Sequence, residues 1–290
     1  MLKVQSITLY DAENHFLFIN GDHIQSFPIT GGEEGNMIST KVWNQHGNTH
    51  IEAYMESYQG ELAFIIPTVD MPNETIAEKR MNITNICNPL NGTVTMKIVL
   101  NTGKAYNRDI TFITAPVFPI GFENRNRDWQ LVQVFYEANN PFWYEEETIV
   151  ETFQRVDPTF LFGFTFSPTT PVYFGTVIPS KFTTNYGQVE APITIRITGS
   201  CINPFIENKT TGEFIKFKNL TMGASDVLII ETTFGQKKVL LNGQNVFNKL
   251  DFASTFFNLK VGVNEIDFTD ETGTSAATIH VMYRHLYIAI

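Results

Sequence analysis

Apolar and polar residues alternate with a period of two in segment after segment of this chain, and that pattern constrains the fold more than any other feature. Val94, Met96, Ile98 and Leu100 alternate with Thr95, Lys97 and Val99, and Ile193, Ile195 and Ile197 with Thr194, Arg196 and Thr198. Phe160, Phe162, Phe164 and Phe166 alternate with Leu161, Gly163, Thr165 and Ser167, which sets four rings on one strand face as a core stripe. The 25 Phe and 10 Tyr add residues that suit pleated, half-buried surfaces. The chain therefore reads as mainly β, and coiled coils and helical solenoids are excluded.

At 290 residues the chain is long for one domain. The run Glu145-Glu146-Glu147 marks a composition shift, and the division falls there, into domains 1–144 and 145–290. In the first domain, Val4 to Tyr10 and His15 to Ile19 read as strands, with Asn20-Gly21 as a hairpin signal. Gly31 to Asn36 is a polar, glycine-rich loop. Met37 to Pro67 is a long two-stranded excursion whose turn is Asn44 to Asn48. Residues 70–87 form the one helix, with Asn73 as N-cap, Glu74 in the first turn, and Ile76, Ile83 and Ile86 or Cys87 as its apolar stripe. Trp129 to Glu137 is a further strand. The expected architecture is a β-sandwich or barrel-like domain with one helix and a long hairpin. Beyond Glu147, turn signals recur at the spacing of a β-sandwich. There Asn208 to Gly212 reverses the chain into Phe214–Lys218, and Asn242-Gly243 is a type I′ signal.

The formal net charge is −10 and there is no Lys/Arg cluster beyond the pair Lys237-Lys238, so the surface repels phosphate. No apolar run reaches the length of a membrane span, and the first residues do not read as a signal peptide. Cys87 and Cys201 lack metal-ligand or redox spacing and read as reduced core thiols. Nucleophile elbow, phosphate-binding loop, dinucleotide fingerprint and zinc-protease motifs are all missing. His46 and His50 flank a turn rather than share a helix face. His280 and His285 point to opposite faces of a terminal strand, one partly buried and one exposed. The carboxylates of Asp267, Asp270 and Glu271, and of Glu33 and Glu34, sit in or beside turns, where solvation accounts for them better than glycoside hydrolysis. No metal or cofactor is expected.

The segment Val134-Phe135-Tyr136-Glu137-Ala138-Asn139-Asn140-Pro141-Phe142-Trp143 resembles the Pro-Phe-Trp segment of siphophage distal tail proteins, the Dit family. The order Pro192-Ile193-Thr194-Ile195, Gly199, Asn203-Pro204, Asn208 to Glu213, Asp226-x-Leu228-x-Ile230, Gly262-x-Asn264-x-Ile266 and Tyr283-Arg284-x-x-Tyr287 is similar to their galectin-like C-terminal domain. The resemblance spans essentially the whole chain. It implies a structural, non-enzymatic protein of the virion tail tip, assembled in the host cytoplasm. Its N-terminal domain closes with five other copies into a homohexameric ring. That ring joins the major tail tube protein to the tail-tip, or tail-associated, protein. The galectin-like domain, outside the ring, presents docking surfaces for receptor-binding components. No catalytic residue belongs to the family, so none is carried over. A carbohydrate-binding adhesion protein that uses the C-terminal sandwich is the alternative; all three Trp lie at or before residue 143, which weakens it.

Three expectations follow for particular residues. The Met37–Pro67 excursion forms the belt between ring subunits or folds back on its own domain. Pro141, Phe142 and Trp143 anchor the two domains on each other or pack at a strand end within one. Glu33 and Glu34 are candidates for an acidic channel lining, past which DNA slides without specific binding.

Overall fold

The computed structural model describes residues 3–13, 15–27, 35–44, 46–67, 75–121, 123–125, 128–154, 180–271 and 277–290. The chain divides into two compact units. The first comprises Met1–Glu146 together with Tyr287–Ile290, and the second Glu147–Leu286. Tyr287–Ile290, placed by sequence patterning in the second domain, therefore group with the first unit.

The first unit contains β1 (Val4–Tyr10), β2 (Phe16–Asn20), β3 (Ile24–Ser26), β4 (Gly35–Thr40), β5 (Thr49–Met55), β6 (Tyr58–Pro67), α1 (Ile76–Ile86), β7 (Thr93–Leu100), β8 (Ala105–Phe112), β9 (Trp129–Ala138) and β10 (Trp143–Glu145). One sheet runs β2-β1-β7-β8-β9-β6-β3, with β10 also on β8. Strand β7 shows how the alternation works: Val94, Met96, Ile98 and Leu100 face the core and the residues between them are half-buried. The same rule in β9 buries Val132, Val134, Tyr136 and Ala138. Ile83 and Ile86 of α1 pack on the same core.

Two local expectations change. Asn20-Gly21 does not close a hairpin; the Asn20 side chain accepts from the Asp22 N–H and starts a short 3-10 turn, Gly21–His23, that leads into β3. Gly21 is required there by close approach, since a Cβ would strike the Val4 and Gln5 carbonyl oxygens. The helix is shorter than expected and its N-cap is Thr75. The Thr75 hydroxyl accepts from the Glu78 N–H at 3.3 Å, and the Glu78 carboxylate accepts from the Thr75 N–H at 2.7 Å, a reciprocal capping box. Asn73 and Glu74 lie outside the described residues. The buried positions of the helix are Lys79, Ile83 and Ile86, and the Lys79 ammonium donates to the Pro67 carbonyl.

The second unit contains β11 (Ile149–Gln154), β12 (Ser180–Asn185), β13 (Ile193–Thr198), β14 (Cys201–Ile202), β15 (Phe205–Asn208), β16 (Glu213–Lys216), β17 (Thr221–Met222), β18 (Val227–Glu231), β19 (Lys238–Leu241), β20 (Gln244–Asn245), β21 (Gly262–Thr269) and β22 (Thr278–Tyr283); β23 (Leu286–Tyr287) straddles the division. A six-stranded sheet, β11-β22-β13-β18-β19-β20, and a four-stranded sheet, β12-β21-β15-β16, contribute one shared core. Ile193, Ile195, Ile197, Ile230 and Val281 come from the first sheet, Ile206, Ile215, Ile266 and Phe268 from the second. This is the β-sandwich arrangement. Leu241 pairs with Gln244 across Asn242-Gly243, whose φ angles of 50° and 81° are those a type I′ turn requires. The Phe160–Phe166 stripe lies outside the described residues.

Candidate interaction surfaces

Strands β4 and β5 form a two-stranded sheet of their own. Gly35 pairs with Met55, Met37 with Ala53 and Ile38 with Glu52, and a bulge then shifts the register to Ser39 opposite His50. Side chains alternate across a strand, so Met37, Ile51, Ala53 and Met55 share one face. The other face carries Asn36, Ile38, Glu52 and Tyr54, and there the Asn36 amide donates to the Tyr54 hydroxyl at 2.8 Å and to Glu56 at 3.0 Å. The hairpin is thus amphipathic, yet every described residue from Gly35 to Tyr54 is exposed. Met37 is 72% exposed and Trp43, at the turn, 94%. Asn44, at φ 65°, and Gly47, at φ 77°, bend the tip. A lone two-stranded hairpin is marginal in water, so its apolar face needs a surface to lie on.

Trp143 lies in the core of the first unit, 2% exposed. Arg108, itself 1% exposed, stacks its guanidinium 4.0 Å from the Trp143 ring centroid and 4.9 Å from that of Tyr58. Phe27 meets Trp143 edge-on at 6.5 Å. Pro141 is buried and Phe142 half-buried, and the Phe142 N–H donates to the Asn140 side chain at 3.2 Å. Sequence reasoning missed Arg108, because a charged residue in an alternating strand reads as solvent-facing.

The end of the chain is fixed in the same unit. The Tyr287 hydroxyl donates to Glu145 at 2.7 Å, and its ring meets Tyr106 edge-on at 5.4 Å. Burial, followed by that hydrogen bond to a carboxylate, raises the Tyr287 phenol above its ordinary value. Ile290 packs on the first core.

Glu33 and Glu34 lie outside the described residues. Gly35 and Asn36, expected in the same loop, instead open β4. Asp267 is not in a solvated turn: it sits in β21, 9% exposed, and its carboxylate pairs with the Lys209 ammonium at 2.9 Å. His285 is buried and His280 half-buried, so neither is the exposed residue expected of that pair. His46 and His50 are both exposed. Cys87 and Cys201 are free and buried, and burial pushes both thiols up to about 12. Among the described residues no group of three His, Cys, Asp or Glu is placed to hold a metal, and no helix is long and apolar enough to cross a membrane.

Residues 186–287 match the family model of the siphovirus-type tail component, C-terminal domain. The chain resembles the Dit proteins of siphophages. Its fold matches the crystal structure of SPP1 Dit (gp 19.1), described as a paradigm of the hub adsorption apparatus in phages that infect Gram-positive bacteria, with a TM-score of 0.60. That match has 14% identity and covers 96% of this chain and 98% of that one. A chain of the phage P2 baseplate, in its activated conformation with Ca, matches over the full length of both chains at a TM-score of 0.54 and 12% identity. By sequence, the chain matches none of the curated proteins. The model match encloses the motifs from Pro192 to Tyr287.

Proposed function

We propose that this chain is a structural hub of a siphophage tail tip, without enzymatic activity. The observation that carries the reading is the match of residues 186–287 to a siphovirus-type tail component. The shared fold with SPP1 Dit over nearly the whole chain supports it. Six copies close into a ring through their first units, between the tail tube protein and the tail-tip protein. The second unit presents docking surfaces for receptor-binding components.

The exposed amphipathic hairpin β4–β5 supports the ring in particular. A ring subunit needs an element whose free edges and apolar face are satisfied by a neighbour, since both are otherwise liabilities. The belt function belongs to this hairpin. Pro141, Phe142 and Trp143 act as strand-end packing within the first unit, the alternative to an interdomain anchor: the Arg108–Trp143 stack holds the exit strand to the first core, three residues before that unit ends at Glu146. Six copies carry a large negative charge, and Glu33 and Glu34 contribute to an acidic passage along which DNA moves without sticking.

Labelling purified phage particles with an antibody against this chain tests the assignment. Label confined to the tip of the tail is the expected result. Label on heads, or along the tail shaft, contradicts it.

A further inference from the structure

One stretch of the second unit is charged oppositely to the rest of the chain. Six lysines and three acidic residues stand between Lys216 and Lys260, in a chain whose formal net charge is −10. The acids are already engaged. Asp251 pairs with Lys218 at 2.7 Å, Glu231 pairs with Lys238, and Asp226 accepts from the Gly223 N–H and the Asn242 amide. Among the described residues, Lys237 and Lys249 have no acidic partner.

Exposed rings lie among these lysines. Residues 249–255 run beside β16: the Asp251 N–H donates to the Lys216 carbonyl and the Lys218 N–H to the Lys249 carbonyl, each at 2.8 Å. In mid-run the Asp251 side chain accepts from the Ala253 N–H at 3.2 Å, and its carbonyl accepts from the Ser254 N–H at 2.9 Å. That turn holds Phe252 fully exposed. Phe247 stacks on Phe256 with 5.7 Å between ring centres, and is itself 47% exposed. The Lys237 ammonium stands 5.7 Å over the Phe256 ring. Apolar rings grouped on a surface and rimmed by charge mark an interaction site.

We propose that Phe252, Phe247 and Phe256, with Lys237 and Lys249 at their rim, dock an acidic segment of a receptor-binding component, one that carries an apolar side chain to cover Phe252. This rests on the docking reading of the second unit and names its surface. Charge complementarity selects the occupant: an acidic segment meets lysines that this chain leaves unpaired. Phenylalanine makes no hydrogen bond, so the rings suit an apolar side chain better than a sugar. The chain's own acidic run is not the occupant, since Glu145 is held by Tyr287 and Glu146 by Lys97. A nucleic-acid strand would stack on such rings, but the acidic chain repels it beyond the patch.

Phe252→p-benzoylphenylalanine, built into phage particles and irradiated, tests the contact. The same probe at Phe182, 65% exposed on β12, serves as the comparison. Cross-links from position 252 to an acidic segment of another tail-tip protein, mapped by mass spectrometry, are the expected result. Phe252→Ser and Lys237→Glu, both at exposed positions, should leave the melting temperature unchanged and lower the amount of that protein per copy of this chain at least tenfold. A partner reached from position 182 but not from 252 overturns the contact while the docking reading stands. So do particles that keep the partner in full after both substitutions, or cross-links from 252 to DNA or to a second copy alone. Cross-links from neither position, in particles whose tail tips carry the chain, overturn the docking reading and the contact together.

Discussion

The guanidinium of Arg108 lies 4.0 Å from the centre of the Trp143 ring, and both side chains are essentially sealed from water. A desolvated cation over an indole face contributes roughly 2 kcal/mol or more. Truncating a buried Trp costs about 3–5 kcal/mol in packing alone. Trp143→Ala should therefore lower the urea midpoint of the first unit's transition strongly, and Trp143→Phe, which keeps a ring under the cation, should lower it less. Equal losses from the two substitutions would remove the cation–ring account.

Tyr287 should act as a clasp from the far end of the chain. Tyr287→Phe keeps the ring on Tyr106 and removes only the hydrogen bond to Glu145, a change of about 1.5–3 kcal/mol for a bond to a charged acceptor. Its pH dependence has a definite sign. The folded phenol holds its proton to higher pH than the unfolded one, whose ordinary value is about 10. The stabilisation is fully present below the unfolded value and is lost as pH rises through the folded one. The melting-temperature gap between the parent and Tyr287→Phe should narrow above pH 10. A gap that holds constant to pH 11 contradicts this.

The two thiols should be silent in the native chain. With both pushed up to about 12 by burial, the thiolate fraction at pH 8 is very small. Titration with a disulfide reagent at pH 8 should show no fast thiol before denaturant is added and two per chain afterwards.

The Thr75 cap should be measurable in the same way. Thr75→Ala removes the acceptor for the Glu78 N–H and should cost about 1 kcal/mol in thermal unfolding. Thr75→Ser, which keeps the hydroxyl, should restore most of it.

Much of the fold was legible because alternation reports directly on which face is buried. Strands β7, β9 and β13 and the turns at Asn208–Gly212 and Asn242-Gly243 need no tertiary information, since a period of two and a positive φ are local properties. Asn20-Gly21 misled for a related reason. The same dipeptide serves a tight hairpin and a capped 3-10 turn, and the choice was made by β3 pairing with β6, far away in sequence. The return of Tyr287–Ile290 to the first unit has no local signature at all. Arg108 was hidden because its burial depends on Trp143 and Tyr58, which only the folded sheet brings to it. The hairpin was visible inside the Met37–Pro67 excursion, but it ends at Met55: Tyr58–Pro67 is β6 of the main sheet, paired with β9 and β3, partners that no local pattern reveals, and the bulge at Ile51 sets which hairpin residues share a side.

The hub reading stands or falls on self-association. Light scattering on the purified chain after size exclusion, over a concentration series, measures it directly. The account predicts a species near six times 32.9 kDa that persists on dilution. A clean monomer of 32.9 kDa at the highest concentration would contradict it.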